Sequence, residues 1–210
     1  AIHATDYPGL DLLPADFSNR HLDLALEQCV RPEERLRELL APLSGEYERV
    51  VLDCAPSLSL LAESVFHAPD ALLAPTLPTP LSLRTLAKLL KHVRQRDGRA
   101  PRVLPFLCMV DLRKSLHRRI AEYVQAERLG FLSSAIPYSS TVEQMAALRM
   151  PVCAFAPRDR AALAYAALWE ELRGARSGAR PPAEVAPLKA LVREVTGRED
   201  PESGPSPSDS

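Results

Sequence analysis

Residues 47–58 read YERVVLDCAPSL, and this stretch decides the fold that we expect. An apolar run ends in Asp53 and is followed by a Pro-Ser turn into a predicted helix. We expect this apolar run to form a buried parallel strand over 49–53. Open α/β sheets bind ligands at the carboxyl ends of such strands, which is where Asp53 would lie. Asp53 can hold a water of a Mg²⁺ ion there, or it can simply act as a turn or cap residue. The residues alone leave both interpretations open.

Short apolar runs alternate with amphipathic stretches along the rest of the chain. This alternation is typical of a parallel α/β sheet flanked by helices. Strands are predicted over 10–14, 49–53, 71–75, 103–109 and 131–135. We therefore expect a doubly wound, mostly parallel sheet.

Start signals and apolar periodicity locate the helices. Pro32 followed by two glutamates predicts a helix start, and Ser140 with Glu143 has the pattern of a capping box. A helix over 82–96 is expected to bury Leu83, Leu86, Leu89, Leu90 and Val93. A helix over 158–173 is expected to turn inward Leu163, Ala166 and Trp169.

The composition changes after Arg173. Residues 174–182 are rich in Gly, Ser, Arg and Pro, a short helix is predicted over 188–195, and 197–210 has too few apolar residues to order itself. The sequence therefore predicts one folded domain over 1–173, followed by a linker and a largely disordered tail over 174–210.

Charge is segregated along the chain although the net charge is only −1. Residues 84–119 hold eleven Lys/Arg against two acids, and the remainder carries 15 basic and 25 acidic residues. The basic stretch is either a set of solvated helix faces or a footprint for nucleic acid or an anionic membrane. The candidates for sequence-independent contacts with DNA phosphates are Arg84, Lys88, Lys91, Arg113, Lys114, Arg118 and Arg119.

The cysteines and the hydropathy pattern exclude several classes of protein. The four cysteines are far apart and form no C-x-x-C pair, so a zinc or iron–sulfur site built by this chain alone is not expected. They are expected to be buried thiols in a reducing compartment. The sequence shows no secretory signal and no apolar run near the ~18 residues that a membrane span needs. We therefore predict a cytoplasmic protein.

Five blocks in order resemble the ParA/MinD family of deviant Walker-A P-loop ATPases. They lie in order between residues 10 and 172, and read LDLLPAD at 10–16, RVVLDCAPSLSLL at 49–61, PDALLAPTLPTPLSLRTLAKLL at 69–90, FLCMVDLRKSLH at 106–117 and AIPYSSTVEQMAALRMPVCAFAPRDRAALAY at 135–165. Each block is a generic βα fragment by itself. Their order and spacing carry the resemblance.

The resemblance implies a role for particular residues. Asp53 would be the Walker B acid, near Mg²⁺ through a water, while Met109, Asp111 and Pro137 would lie near the adenine of ATP. Tyr138 and Thr141 stand where DNA-binding members of the family often place Arg. The family also implies a homodimer that encloses ATP, positions chromosomes, plasmids or other cargo, binds DNA nonspecifically and is stimulated by a ParB-like partner.

One family motif is absent from the sequence. No G-x-x-x-x-G-K-[ST] loop occurs, so we expect an incomplete P-loop fold that lacks the phosphate-loop strand and helix. The strand over 49–53 would then have an open edge in mid-sheet. No residue is assigned a catalytic role, and whether this chain is an enzyme stays open. It is either part of a ParA-type ATPase or a front-truncated, inactive interaction module, and ATP titration separates the two.

Overall fold

A computed structural model describes residues 2–14, 32–54, 66–95, 100–174 and 182–197. The chain divides into two compact units, Ala1–Pro69 and Asp70–Ser210. Each unit has its own secondary structure.

The described residues of the first unit include a small antiparallel hairpin and a helix that begins at Pro32. Strand β1 (His3–Ala4) pairs with β2 (Asp11–Leu12) in an antiparallel register. The prediction that 10–14 forms a strand of the parallel sheet is therefore wrong, because only two of its residues are in a strand and both are exposed. Helix α1 (Pro32–Leu40) begins at the predicted proline and continues into a 3-10 turn over Ala41–Gly45. The Tyr47 hydroxyl donates to Asp11 Oδ2 at 2.7 Å, which links the residues after the 3-10 turn to the hairpin.

The strand predicted over 49–53 is not formed. Residues 49–54 adopt no regular secondary structure, and Val51 is 81% exposed where a buried position was expected. A strand is stable only when a neighbour completes its ladder of hydrogen bonds. Among the described residues of the first unit, none pairs with this segment. The prediction of a buried strand ending in Asp53 is therefore wrong.

The second unit is built on a parallel pair of strands. Strand β3 (Ala71–Thr76) lies beside β4 (Arg102–Leu107), with Ala71 opposite Arg102 and Thr76 opposite Leu107. The first confirms the strand predicted over 71–75, and the second ends two residues before the predicted 109.

Two prolines lie inside these strands without breaking the ladder. Arg102 N–H donates to Asp70 O and Cys108 N–H donates to Thr76 O, both at 3.0 Å. The backbone N–H and C=O groups of the even-numbered residues therefore form the β3–β4 hydrogen bonds, since alternate peptide groups point to opposite sides of a strand. Pro75 and Pro105 occupy odd positions, where this ladder requires no N–H.

The segment predicted as a strand over 131–135 runs beside β4 but is not a regular strand. Leu132 N–H donates to Pro105 O at 2.7 Å and Ile136 N–H donates to Leu107 O at 2.9 Å. Between them, the N–H groups of Ser133 and Ser134 bond instead to the Glu171 carboxylate, at 2.7 and 2.9 Å. The side chain thus replaces the ladder partner that a regular strand would use.

Helices cover both faces of this sheet, which confirms the predicted α/β architecture. On one face, α7 (Val185–Thr196) packs against both α2 (Pro80–Arg94) and α3 (Ser115–Ala126). The short helices α4 (Ser140–Leu148) and α5 (Val152–Phe155) lead into α6 (Arg160–Gly174). Helix α6 covers the other face, where Leu168 packs in one cluster with Leu104, Phe106, Leu132 and Ile136.

The buried face of α2 was predicted correctly in all but one position. Leu83, Leu86, Leu90 and Val93 are buried as expected, whereas Ala87 is buried and Leu89 only half-buried. Pro80 stands in the first turn, and Thr79 Oγ1 accepts from Ser82 N–H at 3.3 Å, so the helix begins two residues before the predicted start.

The inward face of α6 was predicted incorrectly. Leu163 is 58% exposed, and Ala166 and Trp169 are exposed too, whereas Ala161, Ala162 and Leu168 are buried. Almost every position from 161 to 169 is apolar, so the periodicity does not define one face.

The predicted capping box of α4 is also wrong. Ser139 is the cap and accepts from Thr141 N–H at 3.2 Å. Glu143 accepts from the Tyr138 hydroxyl at 3.2 Å.

Packing continues beyond Arg173. Helix α7 is longer than the predicted 188–195, and it buries Leu188, Leu191 and Val192 almost completely. Arg94 Nη2 donates to Ala183 O at 2.9 Å just before this helix. The predicted domain boundary at 173 therefore excludes a helix that is part of the second unit's core. In the described portions of the chain, no helix is both long and apolar enough to cross a bilayer.

Candidate functional site

The loop after β4 carries two of the residues predicted near adenine. Met109 adopts a left-handed conformation, with φ of +53°, and its side chain is 49% exposed. Val110 N–H donates to Ile136 O and Tyr138 N–H donates to Val110 O, both at 3.0 Å. This parallel bridge sets Val110 opposite Pro137. Met109, Asp111 and Pro137 therefore lie on two adjacent segments at the carboxyl end of the sheet, and their place near an adenine stays a prediction.

Asp111 and Arg113 form a closed pair within this loop. The Asp111 carboxylate accepts from Arg113 N–H at 3.1 Å, Nε at 2.9 Å and Nη2 at 3.0 Å. These hydrogen bonds, the side-chain ones foremost, lower the pKa of Asp111 to about 2, and the same pairing raises the pKa of Arg113. Asp111 is thus ionised at any physiological pH. The Arg113 guanidinium holds this carboxylate and so closes the loop. The rest of Arg113 is exposed to solvent.

His117 holds the main chain of the same loop. Its Nδ1 accepts from Asp111 N–H at 3.1 Å, and the side chain is 8% exposed. Burial lowers the pKa of His117, the Lys114 charge lowers it further, and the Asp111 charge opposes both. An Nδ1 that accepts must be unprotonated, so the imidazole is neutral with its proton on Nε2. This histidine ends the block FLCMVDLRKSLH, whose pattern assigns it no role.

Asp53, the predicted magnesium residue, lies in the first unit and is exposed. Burial, and after it the Asp53 charge, raises the pKa of the neighbouring Cys54 thiol. Within the described ranges, no group of three or more His, Cys, Asp and Glu side chains could hold a metal ion. The predicted magnesium role of Asp53 through a water stays a prediction. Cys54 and Cys153 are exposed, so the expectation of buried thiols is wrong for these two.

The predicted DNA-contacting residues lie in two groups. On α2, Lys88 and Lys91 are exposed and Arg84 is half-buried. The other group comprises Arg113, Lys114, Arg118 and Arg119, all exposed. Helix α7 contacts both α2 and α3 and presents two further exposed cations, Lys189 and Arg193. Their four-residue spacing on a predicted helix was the signal that could have found them.

A comparison with family models matches an AAA domain over residues 1–102. The chromosome partitioning protein ParA of Caulobacter vibrioides is 31% identical over 175 residues, which cover 80% of this chain and 66% of that relative. The chain therefore spans about two thirds of the length of this relative.

Solved structures of other proteins share the fold. The cell division ATPase MinD of Pyrococcus furiosus superimposes with a TM-score of 0.64 at 21% identity, covering 83% of this chain and 70% of that one. A cobyrinic acid a,c-diamide synthase from Mycobacterium smegmatis, solved with an ATP analogue and magnesium, gives 0.65 at 23% identity, covering 87% and 70%.

Proposed function

Because the chain belongs to the ParA/MinD family of P-loop ATPases, we propose that it serves a ParA-like ATPase that partitions or positions a chromosome, a plasmid or other cargo. In this proposal ATP and Mg²⁺ are the cofactors, and ATP joins two copies into a homodimer. A ParB-like partner stimulates its turnover. The main support is the 31% sequence identity with a chromosome partitioning protein over 80% of this chain.

One observation carries the nucleotide part of the proposal. Met109 and Pro137 lie on adjacent segments beside the Asp111–Arg113 pair, and the Met109 side chain is half exposed. An exposed apolar side chain suits the face of a planar base, and a fixed polar pair suits its edge. The second unit thus fits the base end of ATP. When bound, Mg²⁺–ATP supplies the free energy of hydrolysis that drives the cycle.

The phosphate end is a different matter. Asp53 is the candidate for the magnesium water, and the sequence contains no Gly-rich loop for the phosphates. We therefore assign no hydrolytic step to residues of this chain. Met109 and Pro137 would contact the base, and Asp111 with Arg113 would keep the loop in place.

Calorimetry with Mg²⁺–ATP on this chain tests the nucleotide proposal. We expect submillimolar binding that weakens about fivefold in Met109→Ala, because the side chain loses apolar contact with the base. Leu163→Ala removes a comparably exposed apolar side chain from the outer face of α6 and should bind like the wild type. The absence of binding would support the alternative, an inactive ParA-like interaction module.

Nonspecific DNA binding is a second proposal, supported by the exposed cations on α2, α3 and α7. Lys88 and Lys91 lie on α2, and Arg118 and Arg119 lie on α3. Helix α7 between them adds Lys189. The same layer also exposes Glu122, Glu127 and Glu194, which lower its net charge.

The salt dependence of DNA binding tests this proposal. Each phosphate contact adds about 0.9 to the slope of log K against log salt, so Lys88→Ala with Lys91→Ala should reduce the slope by about 1.8. Arg173→Ala, on α6, removes a cation from the opposite face and should leave the slope unchanged. Affinity that does not vary with salt would rule out the basic layer as a backbone-binding surface.

A further inference from the structure

We propose that His117 is a positioning residue whose neutral imidazole fixes the main chain of the loop 109–113, and that its protonation releases that loop. The consequence for nucleotide binding rests on the proposed function. The consequence for the loop itself does not.

The geometry gives His117 a specific place. It lies in the first turn of α3, and its ring is buried against the loop that precedes the helix. The Asp111 N–H points at Nδ1 and not at solvent. On one side of that N–H, Val110 is held by its bridge to Pro137, and on the other the Asp111 carboxylate is held by Arg113. His117 therefore fixes the peptide unit between these two anchors.

Protonation removes the acceptor. Imidazolium carries a proton on both ring nitrogens, so Nδ1–H and Asp111 N–H would face each other as two donors. The ring and the main chain must then separate, because two N–H donors repel each other and a part-buried donor without an acceptor is costly. The charges that act on His117 are Lys114, which disfavours the imidazolium, and Asp111, which favours it. Burial outweighs the attraction of Asp111, so the loop is held at neutral pH and released in acid.

Two substitutions separate positioning from simple packing. In His117→Asn, the side-chain Oδ1 can accept from Asp111 N–H and does not titrate. In His117→Leu, a side chain of similar bulk fills the space but offers no acceptor. A histidine that only packs would make His117→Leu the milder change. A positioning residue makes it the more disruptive one.

Amide NMR of the full chain without nucleotide, from pH 8 to pH 4.5, tests the proposal. In the wild type the Asp111 amide shift should follow the titration of His117, whereas in His117→Asn it should stay constant. In His117→Leu the Asp111 amide should exchange with solvent at least tenfold faster at pH 7, with the amides of β4 unchanged. An Asp111 amide that ignores the His117 titration would overturn the proposal, even if His117→Leu did not fold.

Calorimetry with Mg²⁺–ATP over the same pH range tests the nucleotide part. Affinity should fall about tenfold on acidification in the wild type and should stay level in His117→Asn. If no ATP binds at any pH, the proposed function fails, and the amide titration still decides the role of His117. If ATP binds equally at all pH values while the amide titrates, the loop is positioned by His117 but does not govern nucleotide affinity.

Discussion

Gly130 is the position where a single methyl group should disturb the second unit most. Its φ is +76°, and a Cβ built there would lie 2.5 Å from Ala183 N, 2.6 Å from Ala183 Cα and 2.8 Å from Pro182 C. All three are backbone atoms, which cannot rotate away as a side chain can. Ala183 leads directly into α7, whose buried leucines pack against α2 and α3. A methyl group at 130 must therefore push the start of α7 outward.

Gly197 provides a matched control for Gly130→Ala. Its φ is +64°, but a Cβ there has no atom within 4 Å. Both alanine variants incur the left-handed backbone strain of about 1 kcal/mol, whereas only Gly130→Ala adds the clash, worth a further ~1–3 kcal/mol by analogy with overpacked cores. We expect Gly197→Ala to cost about 1 kcal/mol and Gly130→Ala about 2–4 kcal/mol.

Urea unfolding followed by tryptophan fluorescence measures the difference. The chain has a single tryptophan, Trp169, on α6 of the second unit, so the signal reports that unit. Hydrogen exchange at Leu188 and Leu191 should accelerate in Gly130→Ala before the β4 amides do, because α7 is displaced first. Equal destabilisation by the two variants would refute the reasoning. It would mean that the approach of Ala183 to Gly130 does not constrain α7.

Three further predictions concern the site and its supports. Arg113→Ala should raise the pKa of Asp111 from about 2 toward 3.8, as measured by carboxyl NMR. The depressed pKa stabilises the fold above pH 3.8, and this stabilisation is lost as the pH falls toward 2. The loss of stability in acid should therefore be smaller in the variant. Glu171→Ala should destabilise the second unit by about 2–4 kcal/mol in urea unfolding, since two N–H groups, including that of Ser133, lose a charged acceptor; an unchanged midpoint would contradict it. Asp53→Asn should abolish any Mg²⁺ dependence of ATP binding in calorimetry while leaving magnesium-free binding intact, and an unaltered magnesium response would remove Asp53 from the metal site.

Elements with a clear local pattern were the predictable ones wherever a partner is also present, as β4 is for β3. Strand β3 and helix α2 follow each other directly, and the burial pattern of α2 is a local 3.6-residue repeat. The family blocks place Met109 and Pro137 after successive strands, and the role of both beside the adenine stays a prediction.

Elements whose state depends on distant partners were not predictable from the pattern. The 49–53 segment has strong strand character, but a strand requires a neighbour, and none of the described residues of the first unit supplies one. Helix α7 has a short apolar pattern that resembles a marginal helix, and it is buried because it packs against α2 and α3. Glu171 lies 38 residues from Ser133, so no local pattern shows that it replaces a strand partner.

The loop 109–113 is fixed before any ligand arrives. Met109 holds a left-handed conformation that costs a non-glycine residue about 1 kcal/mol, and such strain persists only where the surroundings over-determine it. Here three independent contacts do so: the Val110 bridge to Pro137, the Asp111 carboxylate on Arg113, and the Asp111 N–H on His117. Two of these depend on charge or protonation, and only the bridge does not. Changes of pH should therefore loosen the loop in steps, first at the imidazole and only near pH 2 at the carboxylate, while the Val110–Pro137 bridge remains.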